Sequence, residues 1–333
     1  MIKDKFSIVP LTFLVVGIML IASCSTDVDV IGDWQETSVV YGLLNQSDTA
    51  HYIKVSKAFL GDENAMVMAQ EYDSLYYGSE LTVSLERVKN GNVLETITLQ
   101  RDTSIPKESG TFSSPNQVLY KTTKTLHDDS KYNLKISNSK TGNEVSASTT
   151  LVKDFTIDKP KSTESINWNL VNSDYKVKWQ SPVNGKLSQV TIRFYYTEQD
   201  KTTTLTEDKY IDWVFTAQES DNTEGGEDME VAIAGQSFYT FLSSMIEVNS
   251  NVNRFIGKLD FTITVAGEDF TTYMDVNQPS TGILQEKPIY TNIDNGIGIF
   301  SSRFEKSVKG LSMVTSSQDS IRYGQHTKNL GFQ

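Results

Sequence analysis

One cysteine, Cys24, stands in 333 residues. A disulfide framework needs two, and zinc ribbons or iron–sulfur clusters need more, so all three are excluded. Histidine is nearly as scarce. His51, His127 and His326 are the only three, and no two have the i, i+4 or short-loop spacing of a metal pair. Seven prolines exclude a collagen-like chain. Basic residues are outnumbered, with 30 Lys and Arg against 42 Asp and Glu, and the net charge of −12 argues against a nucleic-acid-binding surface. Long apolar runs are missing but for one near the amino end. What is present is core material: 38% hydrophobic residues, including 15 Tyr and 15 Phe. That excludes wholesale disorder, and the length fits two domains of about 150 residues each.

The single apolar run, Phe6 to Ile21, is interrupted by Ser7, Pro10, Thr12 and Gly17. It is too broken for a membrane span, which needs about 20 apolar residues. Lys3 and Lys5 precede it and Ile21-Ala22-Ser23-Cys24 follows it. Charge, length and small-residue site define a signal peptide over 1–23. Ile21-Ala22-Ser23-Cys24 resembles a bacterial lipobox, with Ile in place of the commoner Leu. The resemblance implies cleavage before Cys24 and acylation there, with palmitate-type chains. Several chains, at about 0.8 kcal/mol per buried methylene, anchor a protein stably. Ser25, rather than Asp, follows the cysteine, which in such lipoproteins implies transfer to the outer membrane. Asp27 and Asp29 resemble a surface-export signal, so the expected address is the outer membrane, on its periplasmic or cell-surface face.

Residues 24–35 read as a polar tether. From Thr37 the hydrophobic pattern has period two: Val39, Tyr41 and Leu43; Leu81, Val83 and Leu85; Tyr132, Leu134 and Ile136. Such alternation means antiparallel strands with one buried face. About seven runs, with turns at Asn90-Gly91 and Thr141-Gly142, predict a β-sandwich over 36–152. Residues 62–70 read as a helical turn or two. Residues 153–165, with Pro160 and flanking charges, read as a linker. Alternation resumes at Tyr175, Val177 and Trp179, and at Val190, Ile192, Phe194 and Tyr196. Phe238, Phe241, Leu242, Met245 and Ile246 have helical spacing, predicting a helix near 237–249 with Ser237 as its cap. Further short strands are expected over 283–314, closing a β-rich domain at 315, and 316–333 reads as a loose polar tail. The expected fold class is mainly β: two sandwich-like domains of immunoglobulin or fibronectin-III type in series, the second with one or two added helices.

No constellation demands catalysis. There is no Gly-x-Ser-x-Gly elbow, and His127-Asp128-Asp129 reads as a polar turn. The acidic run Glu219 to Glu230 lacks the ligand spacing of a calcium loop, and reads as solvated. Gly296-x-Gly298 lacks the third glycine and lysine of a phosphate loop, and reads as a turn into a strand. Trp179 and Trp213 lie in alternating strands and read as core. Trp34 and Trp168 lie nearer domain edges and are the candidates for stacking on a ligand. No cofactor and no metal are expected.

Residues 39–86 and the stretch Tyr290-Thr-Asn-Ile-Asp-Asn-Gly-Ile-Gly-Ile-Phe-Ser-Ser-Arg303 resemble an uncharacterised Bacteroidota outer-membrane lipoprotein family, a domain of unknown function. Asn292, Gly296, Gly298 and Phe300 match its closing signature. Members are often encoded near TonB-dependent receptors. The resemblance implies a non-enzymatic lipoprotein that presents β-domains for protein interaction or receptor assembly. A glycan- or peptide-binding accessory of such a receptor is the alternative, and a hydrolase is the third reading.

Overall fold

The computed structural model describes residues 37–58, 65–108, 110, 116–170, 173–278 and 289–333. The signal peptide, the tether, Cys24 and Trp34 lie outside the described residues.

The chain opens with β1 (Thr37–Leu44) and β2 (His51–Ala58), followed by single helical turns α1 (Ala65–Met68) and α2 (Tyr72–Leu75). Then come β3 (Leu81–Lys89), β4 (Asn92–Thr98), β5 (Gln100–Asp102), β6 (Leu119–Thr122), β7 (Lys131–Asn138) and β8 (Glu144–Thr150). Asn90 and Gly91 form the two-residue loop between β3 and β4, with φ of 52° and 78°. Positive φ at both positions suits the right-handed twist of a hairpin, and Asn-Gly tolerates it. The sheet β4-β3-β7-β8 packs face to face on β1, β2 and β6. Val40, Leu44, Ile53 and Val55 of one layer meet Val83, Leu85, Leu134 and Ile136 of the other, all fully or almost fully buried.

A second sandwich follows. Its strands are β9 (Ile157–Lys159), β10 (Ser165–Ile166), β11 (Tyr175–Gln180), β12 (Leu187–Asp200), β13 (Thr206–Val214), β14 (Gln218–Glu219) and β15 (Asp228–Ile233). After them come α3 (Gly235–Met245), β16 (Val252–Ala266), α4 (Glu268–Asn277), β17 (Gly296–Met313), α5 (Thr315–Tyr323) and a 3₁₀ turn at Lys328–Leu330. The sheet β15-β11-β9 faces β13-β12-β16-β17 across a core rich in aromatic rings. The protein is mainly β and built of sandwiches, as the alternation predicts.

One strand belongs to both sandwiches. β17 pairs parallel with β1 from Ser38↔Gly296 to Leu44↔Ser302. It then pairs antiparallel with β16 from Ala266↔Arg303 to Leu259↔Leu311. A continuous sheet, β13-β12-β16-β17-β1-β2-β6-β5, therefore runs through the protein. Ser302 pins the crossover: its hydroxyl accepts from Val152 N at 3.1 Å and donates to Thr150 O at 2.7 Å. Where short strands are expected over 283–314, the described residues form the single strand β17 of 18 residues, and its period is hidden because Gly298 to Ser302 are buried without a break. A strand covered on both faces shows no alternation. Gly298, at φ 116°, lies so close to β1 that a Cβ would sit 2.0 Å from Val40 O. Asn292 holds the entry, donating from Nδ2 to Phe300 O at 2.7 Å and accepting Phe300 N at 3.0 Å. Phe300 fills the first core.

Four boundary expectations need correction. Residues 153–165 are not a free linker, because Phe155 and Ile157 enter the second core and β9 pairs with β11. The first sandwich is not confined to 36–152, since Ile293 and Phe300 return to complete it. Residues 316–333 are not loose: Ile321, Leu330 and Phe332 are buried in the second core. Their spacing follows a helix and a turn, so it escapes a search for period two. Finally, α3 begins at Gly235 after Ala234, not at a Ser237 cap, and no side chain caps it. The tight start has its own cause, because a Cβ on Gly235 would collide with Trp168 O. α4 had no apolar stripe to announce it. Glu268 and Asp269 in its first turn were the available signal, favoured there by the helix dipole.

Candidate functional site

The topology orients the two sandwiches. β1 starts beside Gly296, at the beginning of β17. β17 carries the chain away to β16, and β16 and β12 run on to the tip where Asp200 pairs with Val252. At about 3.3 Å per residue, this is roughly 70 Å of strand path. The tip is formed by turns 201–205 and 247–251, joined where Lys201 N donates to Asn251 O at 2.9 Å. Leu205 and Val248 stand there 73% and 69% exposed.

The outer face of β12, β13 and β16 presents a fixed polar and aromatic pattern. Arg193 makes two bonds to Asp212, Nε to Oδ1 and Nη2 to Oδ2, both at 2.7 Å. Hydrogen bonding to Asp212 raises the guanidinium pKa further above its ordinary value. The same guanidinium lies 4.0 Å from the centre of the Tyr210 ring. Tyr195 hydrogen-bonds Asp260 at 3.1 Å, and Gly310 N donates to the other oxygen of that carboxylate at 2.7 Å. These contacts hold the side chains in place on the sheet.

A cleft of about 820 Å³ lies between β4, β5 and β6 in the first sandwich. Its charges neutralise one another: Lys121 pairs with Asp102 at 3.8 Å and Lys124 with Glu95 at 3.5 Å. Asp102 also accepts from the Ser104 hydroxyl and amide, which lower its pKa. Asp102 is thereby stabilised as an anion, the opposite of the raised pKa a general acid needs.

The predicted site residues are scattered. Trp168 corrects its expectation of ligand stacking: it is 1% exposed and stacks on Phe238 at 4.6 Å between ring centres. The sequence placed it at a domain edge, but α3 and the C-terminal segment close over it, Ser317 accepting its amide at 2.8 Å. Trp179 is buried as expected, and Trp213 stacks on Phe241 of α3 at 5.0 Å. His51 is buried on β2, with no hydrogen bond to either ring nitrogen, and burial lowers its pKa. His127 and His326 are exposed on other segments. The acidic run divides among separate partners. Glu219 meets Lys186, Glu230 meets Lys176 and Lys178, and Glu227 accepts Asp221 N. Among the described residues, no three His, Cys, Asp or Glu side chains gather as a metal site. Among them, too, no helix is long and apolar enough to cross a membrane.

Residues that composition and motif did not single out are Tyr41, Tyr273 and Arg303, which the fold brings to one cleft. A signal existed for Arg303, a lone cation within an otherwise uncharged stretch from Gly296 to Phe304.

No family model matches the chain. No curated protein matches it either. Among solved structures, it is similar to a cytokine receptor complex at 8% identity and a TM-score of 0.19, covering 83% of this chain and 99% of that one. It is also similar to the C-terminal globular domain of an oligosaccharyltransferase from Pyrococcus abyssi. There the identity is 13% and the TM-score 0.21, covering 65% of this chain and 44% of that one.

Proposed function

We propose that this protein is a lipid-anchored, non-enzymatic lipoprotein of the outer membrane. It presents its sandwiches to a membrane partner, for which a TonB-dependent receptor is the candidate. The observation that carries the reading is Ile21-Ala22-Ser23-Cys24, the only cysteine of the chain, at the end of its only long apolar run. Acylation of Cys24 would confine the protein to a plane, and confinement raises the effective concentration of any partner in that plane. Anchored there, β1 would be membrane-proximal and the β12–β13 hairpin tip distal, because β17 runs parallel to β1 and onward into the second sandwich. A glycan-stacking role loses one of its two candidates with Trp168 in the core.

The test is Cys24→Ser expressed in the native host. The variant is expected in the soluble fraction while the wild type sediments with outer membranes. Equal sedimentation of both would contradict anchoring through this residue. Crosslinking of wild-type membranes addresses the partner separately: a stoichiometric receptor supports receptor assembly, and recovery of the lipoprotein alone opposes it.

A further inference from the structure

A cleft of about 480 Å³ opens where the two sandwiches join. Tyr41, Leu43 and Tyr52 come from the alternate face of β1 and β2, opposite the residues that fill the first core. Phe270 and Tyr273 come from α4, and Arg303 from β17. Arg303 is the residue at which β17 leaves β1 and takes up β16. The volume lies within the usual range for small-molecule sites, which occur preferentially at such junctions.

The wall is largely aromatic. Tyr41 and Tyr273 meet edge to face with ring centres 6.4 Å apart, and Tyr273 Oη donates to Tyr41 Oη at 3.4 Å. That contact, with burial, pushes the Tyr273 phenol up to about 12, so it stays protonated. Tyr41 remains 42% exposed, a large ring left facing the opening.

The charge here departs from the rest of the molecule. The other five arginines are engaged: Arg87 by Asp129, Arg101 by Tyr72, Arg193 by Asp212, Arg254 by Glu198 and Arg322 by Asp319. Arg303 is exposed, and its side chain makes no hydrogen bond or ion pair among the described residues. Lys54, which pairs in register with Tyr41, makes none among them either. Asp48, the carboxylate of the lining, accepts instead from Asn45 Nδ2 at 2.9 Å. In a chain of net charge −12, Arg303 is the cation of an aromatic lining, with its own head free of any partner among the described residues while Asp48 is held by Asn45.

We propose that this cleft binds a small organic carboxylate with an aromatic or apolar body, its ring against Tyr41, Phe270 and Tyr273 and its carboxylate on Arg303. A guanidinium offers two parallel N–H donors to a carboxylate, a geometry that a lysine does not supply.

The test uses N-acetyl-L-phenylalanine and its uncharged amide, each titrated into the purified protein and followed by ligand-observed NMR. The acid should bind at least about tenfold more tightly than the amide, the scale of a charge-assisted hydrogen bond. Arg303→Gln should abolish that preference while leaving the weak affinity for the amide, and Tyr273→Ala should weaken both, with circular dichroism unchanged in each variant. Three results overturn the proposal: no saturable binding of the acid up to about 10 mM, equal affinity for acid and amide, or full affinity for the acid in Arg303→Gln.

Discussion

Replacing Arg254 by methionine should release the C-terminal segment from the second core. The guanidinium is 3% exposed, and its Nε donates to Glu198 Oε1 at 2.8 Å while Nη2 lies 2.6 Å from the same oxygen. It also donates to the carbonyls of Leu330 and Glu247. The main chain adds two bonds, Arg254 N to Gly331 O and Gln333 N to Arg254 O, both at 2.9 Å. Together they seat Phe332, whose ring lies 6.1 Å from Phe194 and 6.0 Å from Tyr196. Methionine keeps much of the stem but strands two carbonyls and one side of Glu198. Breaking a buried ion pair from one side costs about 3–5 kcal/mol. Lys209 still reaches Glu198 at 2.6 Å, so the lower end, about 3 kcal/mol, applies. With an m-value of about 3 kcal/mol/M, the urea midpoint should fall by roughly 1 M. Amide exchange over 315–333 should quicken with it. The penalty depends on pH. Burial alone would raise the Glu198 carboxyl, but Lys209 and Arg254 outweigh it and hold the group below its ordinary 4.5. A depressed carboxylate contributes stability above its unfolded pKa and loses it as pH falls through the folded value. The difference between wild type and variant should therefore be full at pH 7 and shrink below about 4.5. A loss under about 1 kcal/mol at pH 7, or one that ignores pH across this window, would refute the reasoning.

Gly298→Ala should cost at least about 2 kcal/mol and lower soluble yield, because φ is 116° and the Cβ would press on Val40 O. Gly310→Ala, at φ 73° but with open space around it, should cost only about 1 kcal/mol, and paired urea melts of the two variants separate steric from conformational causes. His51, desolvated and below its ordinary 6.5, binds a proton more readily when the chain unfolds, so native stability should decline as pH drops below about 6.5. His51→Phe should flatten that part of the stability–pH curve, and a curve unchanged by the substitution would assign the slope to other groups.

The alternating strands were legible because each has one wet face. β1, β3, β7, β11, β12 and β16 all show period two, and the sandwich follows from it. The face was less legible than the strand. In β1 both Val39-Tyr41-Leu43 and Val40-Leu44 are apolar, and only the partner sheet decides that Val40 and Leu44 go inward. That ambiguity hid the cleft, since Tyr41 reads as core until α4 is seen to cover only part of its face. β17 was illegible for the opposite reason, since continuous burial erases its period and its two partners come from different sandwiches. The tail failed because its buried residues, Ile321, Leu330 and Phe332, are too few and too widely spaced to form a pattern. Trp168 shows the limit of position along the chain, because its cover comes from Phe238 and Ser317, both far away in sequence.

The anchor is tested most directly by intact mass and amino-terminal sequencing of the protein purified from membranes. The account predicts a chain beginning at Cys24 and heavier than its residues by the mass of a diacylglycerol and an amide-linked acyl chain. An unmodified Cys24, or a chain that still carries residues 1–23, would contradict it.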